Sequence, residues 1–324
     1  MLRKLYERAM METILVTGGA GYIGSAAVKA LIEKGHDVVI VDNMSNGRRE
    51  FIDSRAKFYE VDLVDKENLA KVFSENKIDA VMHFAGYKAV DESMENAVKY
   101  SDNITGTVNL LNMMVKYDVG KIIYSSSAAV YGMPKEFLVD ENCALSTINY
   151  YGYTKLASEE MIVWYSRIHK IKYISLRYFN VAGDAGLNYT DPNAKNVMSI
   201  IMEVLAGKRD KFVIYGDDYD TKDGTCIRDY IDINDLVDAH ILALNAEESG
   251  VINLGTSTGV SVRELVNMTM EVTGKKLNYE VGPSRQGDPA GFVASNEKAK
   301  KMIGWEPKVG IKEMIRTTYR AYFG

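Results

Sequence analysis

"TILVTGGAGYIGSAAVKALIEKGHDVVIVDN", residues 13–43, contains the pattern that decides the fold. An apolar, β-branched run opens it, a glycine-rich turn follows, and the next apolar residues are at helical spacing with Gly35 as a stop. A second apolar run then ends at Asp42. Strand, helix and strand in this order predict a parallel βαβ unit.

The same alternation continues through the first half of the chain. Its segments are "KFYEVD", "KENLAKVFSEN", "DAVMHFAG", "NAVKYSDNITGTVNLLNMMVKY", "KIIYSSS" and "KYISLRYFN". Continuous apolar strands alternating with helices are typical of a parallel sheet that is covered on both faces. We therefore predict an α/β fold with a doubly wound, parallel-sheet Rossmann domain over residues 11–180.

The pattern changes after Asn180. A polar, turn-rich segment is followed by short strands such as "FVIYG" and "VINLG" and by further helical patterns. These features predict a smaller C-terminal α/β substrate domain over residues 181–324, some of whose segments can return to the first sheet. Residues 1–10 are basic but lack the apolar stretch of a secretory signal, so we interpret them as an N-terminal extension.

Composition excludes several classes of function. The net charge of −5 argues against nucleic acid or an anionic membrane surface as the main partner. No apolar run approaches the roughly 20 residues that span a bilayer. The two cysteines, Cys143 and Cys226, offer neither a disulfide framework nor metal-ligand spacing. We expect a cytoplasmic protein without a metal.

The glycine-rich turn predicts a dinucleotide site. Gly18, Gly21 and Gly24 form a G-x-x-G-x-x-G pattern between the first strand and the first helix, where backbone N–H groups can approach a pyrophosphate. Asp42 ends the second strand, where a carboxylate accepts both ribose hydroxyls. A carboxylate would repel a 2′-phosphate, which favours NAD over NADP. Arg48 and Arg49 lie nearby and keep NADP open.

A tyrosine and a lysine four residues apart share one face of a helix, and three such pairs occur in this chain. Pro134 interrupts the pair Tyr131/Lys135, and Gly120 interrupts the pair Tyr117/Lys121. The pair Tyr151/Lys155 lies on an uninterrupted helical stretch after the fifth strand. The carboxyl end of that strand should point into the cofactor crevice. We predict that Lys155 acts on Tyr151.

These motifs resemble the extended short-chain dehydrogenase/reductase superfamily over nearly the whole chain: G-x-x-G-x-x-G, "SSSAAVYG" and Y-x-x-x-K. More narrowly, "HFAGYKAV", "LRYFNVAGD", "DGTCIRDYIDI" and "SRQGDPAGF" resemble the UDP-glucose 4-epimerases. That resemblance implies interconversion of UDP-galactose and UDP-glucose, in galactose metabolism, through a transient 4-keto sugar and NADH. It also implies a homodimer that pairs the helices near 93–117 and 150–168.

The resemblance implies three catalytic residues. Tyr151 would remove the proton of the sugar 4-hydroxyl, Ser127 would hold or relay it, and Lys155 would bind the nicotinamide ribose. A free phenol has a pKa of about 10 and is a poor base at neutral pH. A neighbouring ammonium favours the phenolate, so Lys155 would also make Tyr151 a better base.

The resemblance also implies the ligand-binding residues. For NAD, in addition to Gly18, Gly21, Gly24, Asp42, Tyr151 and Lys155, they are Tyr22, Ile23, Asn43, Met44, Ser45, Asn46, Gly47, Asp62, Leu63, Phe84, Ala85, Gly86, Lys88, Asn103 and Phe179. For the UDP-sugar they are Lys88, Ser127, Tyr151, Asn180, Asn196, Val197, Val213, Tyr215, Arg228, Arg285, Asp288 and Phe292. The two arginines suit a diphosphate, because a guanidinium is a permanent, forked donor. Ion pairing with Asp229 and Asp288 is their alternative role.

One departure from the family pattern is visible, and several other functions stay open. The family often has proline before its catalytic tyrosine, whereas this chain has Tyr150, which puts the start of the helix in doubt. Epimerases for a UDP-N-acetylhexosamine, a UDP-pentose or UDP-glucuronate are possible, as is an NAD-sensing regulator. A 4,6-dehydratase would need an Asp-Glu pair where this chain has Ala128 and Ala129. The position matching Phe292 borders the sugar's C2 substituent and is often tyrosine in the family.

Overall fold

The computed structural model describes residues 11–190, 195–285 and 288–324, which form two compact units. The first unit comprises the residues up to Ser126, Asn149–Leu176 and His240–Val251. The second comprises Ser127–Ile148, Arg177–Ala239 and Ile252–Gly324. These bounds differ from the contiguous ranges 11–180 and 181–324, because the chain changes unit several times. The ligand-binding roles of the two ranges stay predictions. The expected extension over residues 1–10, and Gln286 and Gly287 of "SRQGDPAGF", lie outside the described residues.

A seven-stranded sheet is the frame of the first unit. Its strands are β1 Thr13–Thr17, β2 Asp37–Asp42, β3 Lys57–Glu60, β4 Ala80–His83, β5 Lys121–Ser127, β7 Lys172–Tyr178 and β12 Gly250–Leu254. Their order is β12-β7-β5-β4-β1-β2-β3, and the pairs β1–β2, β1–β4, β2–β3 and β4–β5 are parallel. The strand order reverses next to β1, as in doubly wound folds. The predicted fold class is confirmed.

Helices cover this sheet. They are α1 Tyr22–Glu33, α2 Lys66–Glu75, α3 Val90–Glu95, α4 Ala97–Lys116 and α5 Tyr150–His169. Ile14, Leu15 and Val16 are consecutive and fully buried, so both faces of β1 are covered. Leu110 of α4 and Ile162 of α5 pack into one core with Leu15. This packing fixes α4 and α5 against the central sheet.

The second unit contains smaller sheets and a separate core. Its sheets have the orders β13-β10-β15-β6, β11-β8 and β14-β9, formed by β6 Leu138–Val139, β8 Asn180–Ala182, β9 Phe212–Tyr215, β10 Ile227–Arg228, β11 Tyr230–Asp232, β13 Val260–Ser261, β14 Tyr279–Gly282 and β15 Gly291–Ala294. The later helices are α6 Val197–Leu205, α7 Ile233–Leu244, α8 Val262–Thr273, α9 Glu297–Ile303 and α10 Ile311–Phe323. Met198, Met202 and Met314 pack in its core, where flexible thioethers fill irregular gaps.

Within residues 11–190, 195–285 and 288–324, no helix combines the length and the apolar character needed to cross a membrane. The same residues contain no cluster of His, Cys, Asp and Glu that could hold a metal ion.

Candidate active site

The glycine-rich turn leaves no room for side chains. A Cβ on Gly18, whose φ is +73°, would lie 2.7 Å from the backbone N of Ala85. A Cβ on Gly24 would lie 2.1 Å from the carbonyl oxygen of Gly18. Gly21 caps α1 without a side-chain hydrogen bond, and the first turn of that helix carries no acidic residue. Tyr22 and Ile23 are the first residues of α1. The turn and helix N-terminus therefore fit a pyrophosphate.

Asp42 is held in one orientation at the end of β2. Its Oδ2 accepts the N–H of Ala20 at 3.0 Å, and its Oδ1 accepts the N–H of Met44 at 2.9 Å. Burial raises the pKa of the Asp42 carboxyl, whereas these two hydrogen bonds act in the opposite direction. A Cβ on Gly47 would lie 2.7 Å from Oδ1, so only glycine fits there. A fixed carboxylate at this position suits the two hydroxyls of a ribose.

The residues that follow Asp42 form a polar segment: Asn43, Met44, Ser45, Asn46 and Gly47. The Asn43 side chain donates to Asp62 Oδ2 at 2.8 Å and accepts the N–H of Ser45 at 3.0 Å. Asn43, Ser45 and Asp62 thus form one connected group beside Asp42.

Arg48 and Arg49 are both engaged by acids. Arg48 forms an ion pair with Glu50, and Arg49 forms one with Glu60. A 2′-phosphate would have to compete with these carboxylates and with Asp42. This arrangement favours NAD over NADP.

Asn103 of α4 fixes the segment that follows β4. Its Oδ1 accepts the N–H of Tyr87 at 2.8 Å, and its Nδ2 donates to the carbonyl oxygen of Tyr87 at 3.1 Å. The same amide donates to Thr154 Oγ1 of α5 at 3.1 Å. Phe84, Ala85, Gly86 and the exposed Lys88 lie in this segment, and Leu63 lies against Gly106 of α4. The amide therefore joins three elements next to the predicted nicotinamide end.

The start of α5 is capped despite the absence of proline. Asn149 Oδ1 accepts the N–H of Gly152 at 2.8 Å. The N–H of Tyr150 donates to Met94 Sδ at 3.4 Å, and the N–H of Tyr151 donates to Ser93 Oγ at 3.1 Å. These bonds satisfy donors that a helix N-terminus otherwise leaves unpaired. The doubt about the start of this helix is thereby removed.

The three tyrosines of this helix lie in different surroundings. The Tyr150 hydroxyl hydrogen-bonds with Ser101 Oγ at 2.8 Å, and its ring stacks on that of Tyr153. Tyr153 is 50% exposed. The ring of Tyr151 lies beside Lys155, whose Nζ is 6.0 Å from the ring centroid. This geometry favours Tyr151 as the partner of Lys155.

Lys155 is buried and fixed. Its Nζ donates to the carbonyl oxygen of Ser125 at 2.8 Å and lies 5.1 Å from the centre of the Tyr124 ring. Burial lowers the pKa of Lys155 to about 8, because the charged form loses its hydration. A hypothetical Cβ on Gly86 would lie 3.5 Å from Nζ. An ammonium in this position can act on Tyr151 and on a ribose together.

Several residues of the second unit that were predicted to bind NAD or the UDP-sugar lie in pairs. The rings of Phe179 and Phe292 lie 4.7 Å apart, and the Arg285 guanidinium lies 3.7 Å from the centre of the Tyr215 ring. Arg228 forms an ion pair with Asp288 at 3.6 Å. The predicted alternative of ion pairing therefore applies to Arg228, but the partner is not Asp229.

The remaining predicted residues of this unit have structural contacts. Ser127 ends β5, and its Oγ accepts the N–H of Ala129 at 3.2 Å. Asn180 Nδ2 donates to the carbonyl oxygen of Asp229 at 3.0 Å. Asn196 caps α6, whereas Val197 packs against the core of the second unit. Val213 lies on β9 with Tyr215.

Comparisons with known proteins decide the family. Residues 14–255 match the model of the NAD dependent epimerase/dehydratase family. The chain belongs to this family. The UDP-glucose 4-epimerase of Lactobacillus helveticus is 44% identical over 317 residues, which cover 95% of this chain and 96% of that one. The family resemblance read from the sequence is confirmed.

The folds of two solved epimerase structures agree closely with the fold of this chain. The UDP-glucose 4-epimerase of Brucella ovis, solved in complex with NAD, has a TM-score of 0.92 at 35% identity and covers 96% of this chain and 98% of its own. The UDP-Glc/GlcNAc 4-epimerase of Campylobacter jejuni has a TM-score of 0.86 at 37% identity, with coverage of 96% and 99%. Dependence on NAD follows from membership of this family.

The structure adds residues that the sequence interpretation missed. Ser93 accepts the backbone N–H of Tyr151, and Ser125 supplies the carbonyl oxygen that holds Lys155. Glu159 is buried one helical turn after Lys155. The four-residue spacing between Lys155 and Glu159 is visible in the sequence and indicates that the two side chains share a helix face. Ser93 precedes Tyr151 by 58 residues and gave no local signal.

Proposed function

We propose that this chain is an NAD-dependent UDP-sugar 4-epimerase that interconverts UDP-galactose and UDP-glucose. The observation that carries the proposal is the Tyr151–Lys155 pair on α5, with Nζ held 2.8 Å from the carbonyl oxygen of Ser125. The full-length similarity to curated UDP-glucose 4-epimerases supports it. Ala128 and Ala129 cannot transfer protons, which argues against a dehydratase.

The reaction needs a base for the sugar 4-hydroxyl. Tyr151, as a phenolate, would take this proton at its Oη. It would return the proton to the sugar O4 after the 4-keto sugar has rotated to present its opposite face. Bound NAD would supply the hydride acceptor for C4 of the sugar and then the hydride donor for the opposite face of the 4-keto carbon. Lys155 stabilises the phenolate by its charge, and Ser127 would hold or relay the proton. The glycine turn, Asp42 and Asn103 would hold the cofactor.

Binding of UDP requires cations for the diphosphate and a flat surface for the nucleoside. Arg285 and Arg228 would bind the diphosphate, and the Tyr215 ring would contact the nucleoside. Binding at Arg228 would displace or reorganise its 3.6 Å ion pair with Asp288. These assignments stay proposals, as do the predicted roles of Asn180, Asn196, Val197 and Val213.

The first prediction concerns the cofactor. Since epimerisation restores NAD, the purified protein should contain bound nucleotide and convert UDP-galactose to UDP-glucose without added NAD. Nucleotide content by acid extraction and product formation by chromatography check this. Strict dependence on stoichiometric added NAD, with NADH accumulating, would indicate a net dehydrogenase instead.

The second prediction concerns the sugar's C2 substituent. Phe292 is half-buried against Phe179, and a phenyl ring there leaves little room for an acetamido group. We expect kcat/KM for UDP-galactose to exceed that for UDP-N-acetylgalactosamine roughly a hundredfold, and Phe292→Cys to reduce the ratio to roughly ten or less.

The matched control for Phe292→Cys is Phe323→Cys at the end of α10, which should leave the ratio unchanged. Equal values for the two sugars in the wild type would show that Phe292 is not the gate. That result would favour an epimerase for UDP-N-acetylhexosamines, of the kind that the Campylobacter jejuni relative represents. Activity restricted to UDP-pentoses, or to UDP-glucuronate, would favour an epimerase for that sugar instead.

A homodimer is supported by exposed apolar side chains on α4 and α5. Met161, Trp164 and Ile168 lie on one face of α5 and are 36%, 55% and 64% exposed. Val98 of α4 is 85% exposed. Monomeric proteins rarely leave such stripes in water, so we infer that a second copy of the chain covers them.

The third prediction tests this interface. Trp164→Glu should raise the dissociation constant of the dimer by roughly thirtyfold or more, because aromatic residues often dominate interfaces. Analytical ultracentrifugation measures it, with Phe323→Glu as the control at an exposed aromatic residue of α10. A monomeric wild type, or a dimer unaffected by Trp164→Glu, would contradict the inference.

The free cysteines Cys143 and Cys226 are compatible with a reducing compartment, and a cytoplasmic location stays a prediction. Fractionation of the producing cell would test it.

A further inference from the structure

Glu159 is a buried carboxylate on α5, one helical turn after Lys155. It is 3% exposed, and Ser126 donates its hydroxyl hydrogen to Glu159 Oε1. The preceding residue of β5, Ser125, accepts the hydrogen bond from Lys155 Nζ. Two successive residues of one strand therefore hold the two charged side chains. This arrangement places an acid beside the buried lysine at a fixed distance along the helix.

We propose that Glu159 is a positioning residue of the reaction, one that keeps the Lys155 ammonium charged inside the protein. The inference rests on the proposed function, in which the positive charge of Lys155 stabilises the Tyr151 phenolate. Burial of an ammonium is costly unless an opposite charge or hydrogen bonds compensate it. Glu159 supplies the opposite charge, and the Ser126 hydroxyl keeps it from turning away.

The other ionisable groups around this pair do not take over that role. From the described elements packed against α5, they include His83 of β4, Tyr124 of β5 and Tyr173 of β7, with Tyr151 and Arg167 on α5 itself. The buried Arg177 of β7 is a permanent cation and cannot supply a negative charge. Burial, with a smaller effect of Lys155, lowers the pKa of His83 to about 3, so this imidazole is neutral. Burial raises the pKa of Tyr173, which keeps this phenol neutral as well.

The negative charge that acts on Lys155 is therefore that of Glu159. Burial lowers the pKa of Lys155, and Glu159 raises it again. The hydrogen bond from Ser126, which directly precedes Ser127, holds this carboxylate in place. Lys155 and Glu159 thus form a buried pair that is anchored at two neighbouring points of β5.

The test replaces Glu159 by glutamine, which keeps the length of the side chain and an oxygen for Ser126 but removes the charge. The titration of Lys155 is followed by NMR of the NAD-loaded protein labelled with carbon-13 at the lysine Cε, and Lys155→Met assigns the signal. In Glu159→Gln we expect Lys155 to titrate at least about one pH unit lower than in the wild type. The exposed neighbour gives the matched control, Glu160→Gln, which should leave the titration unchanged.

Activity provides the second readout. The alkaline limb of kcat/KM for UDP-galactose should move to lower pH by a similar amount in Glu159→Gln. A purely structural role would lower activity at every pH without moving this limb, and a Lys155 titration within about 0.3 pH units of the wild type would overturn the proposal. Glu159→Ala and Glu159→Thr remove the same charge and replace the glutamine variant if it does not fold. A wild type inactive on UDP-galactose would refute the proposed function, while the NMR titration would still decide whether Glu159 keeps Lys155 charged.

Discussion

Replacing Tyr151 by phenylalanine is expected to lower kcat for UDP-galactose by at least about a thousandfold. The change removes one hydroxyl group, and with it the base that takes the proton from the sugar. The contacts that the structure gives the backbone of this residue, such as the N–H bond to Ser93, are retained. The variant should therefore stay folded and keep its nucleotide, as measured by circular dichroism and acid extraction.

The neighbouring tyrosines are matched controls for Tyr151→Phe. Tyr153→Phe alters an exposed hydroxyl and should retain activity within about threefold of the wild type. Tyr150→Phe removes the hydrogen bond with Ser101 and should cost stability more than turnover. A large loss in either variant, together with an active Tyr151→Phe, would transfer the role of base to another tyrosine.

Lys155→Met is the second substitution with a large expected effect. At pH 7, below the pKa of about 8 that burial gives Lys155, the wild-type side chain is an ammonium. Methionine fills similar volume without the charge, so the pKa of the Tyr151 phenol should rise. We expect a loss in kcat of roughly a thousandfold at pH 7, from a phenol pKa higher by about 3 units.

The pH dependence distinguishes this charge effect from damage to the fold. In Lys155→Met, kcat should increase about tenfold per pH unit from pH 7 to pH 9, because a larger fraction of the phenol is ionised. In the wild type, activity should instead decline as the pH rises through the pKa of Lys155. Lys66→Met, at an exposed lysine of α2, is the control. Activity of Lys155→Met within tenfold of the wild type at pH 7 would remove Lys155 from the mechanism.

Features set by neighbours in the sequence were predictable. The apolar runs of β1 and β2 and the helical spacing of α1 and α5 follow from local patterns, and the structure has these elements. Tyr151 and Lys155 are four residues apart, so their approach on α5 follows from helix geometry. The cofactor turn was local only in part: a Cβ on Gly24 would meet the carbonyl oxygen of Gly18, whereas a Cβ on Gly18 would meet the distant backbone of Ala85.

Features set by distant parts of the chain were not predictable from patterns. The bond from Tyr151 to Ser93, and the bonds of Asn103 with Tyr87 and Thr154, join residues far apart in the sequence. The strands of the second unit are short, and β10 and β13 have two residues each, too few to show an alternation. The bounds of the units escaped prediction for the same reason. A return of later segments to the first sheet was expected, but no local signal marks β12 as the strand that joins it.

The three serines at the end of β5 have different partners, although the sequence writes them as a repeat. The Ser125 carbonyl oxygen accepts from Lys155 and its hydroxyl hydrogen-bonds with His240, while the Ser126 hydroxyl donates to Glu159. Successive side chains of a strand point to opposite faces, so a shift of this strand by one residue would turn each hydroxyl toward the other face. The serines are therefore not interchangeable. Such a shift would leave the composition unchanged, yet it would separate Ser126 from Glu159 and Ser125 from His240.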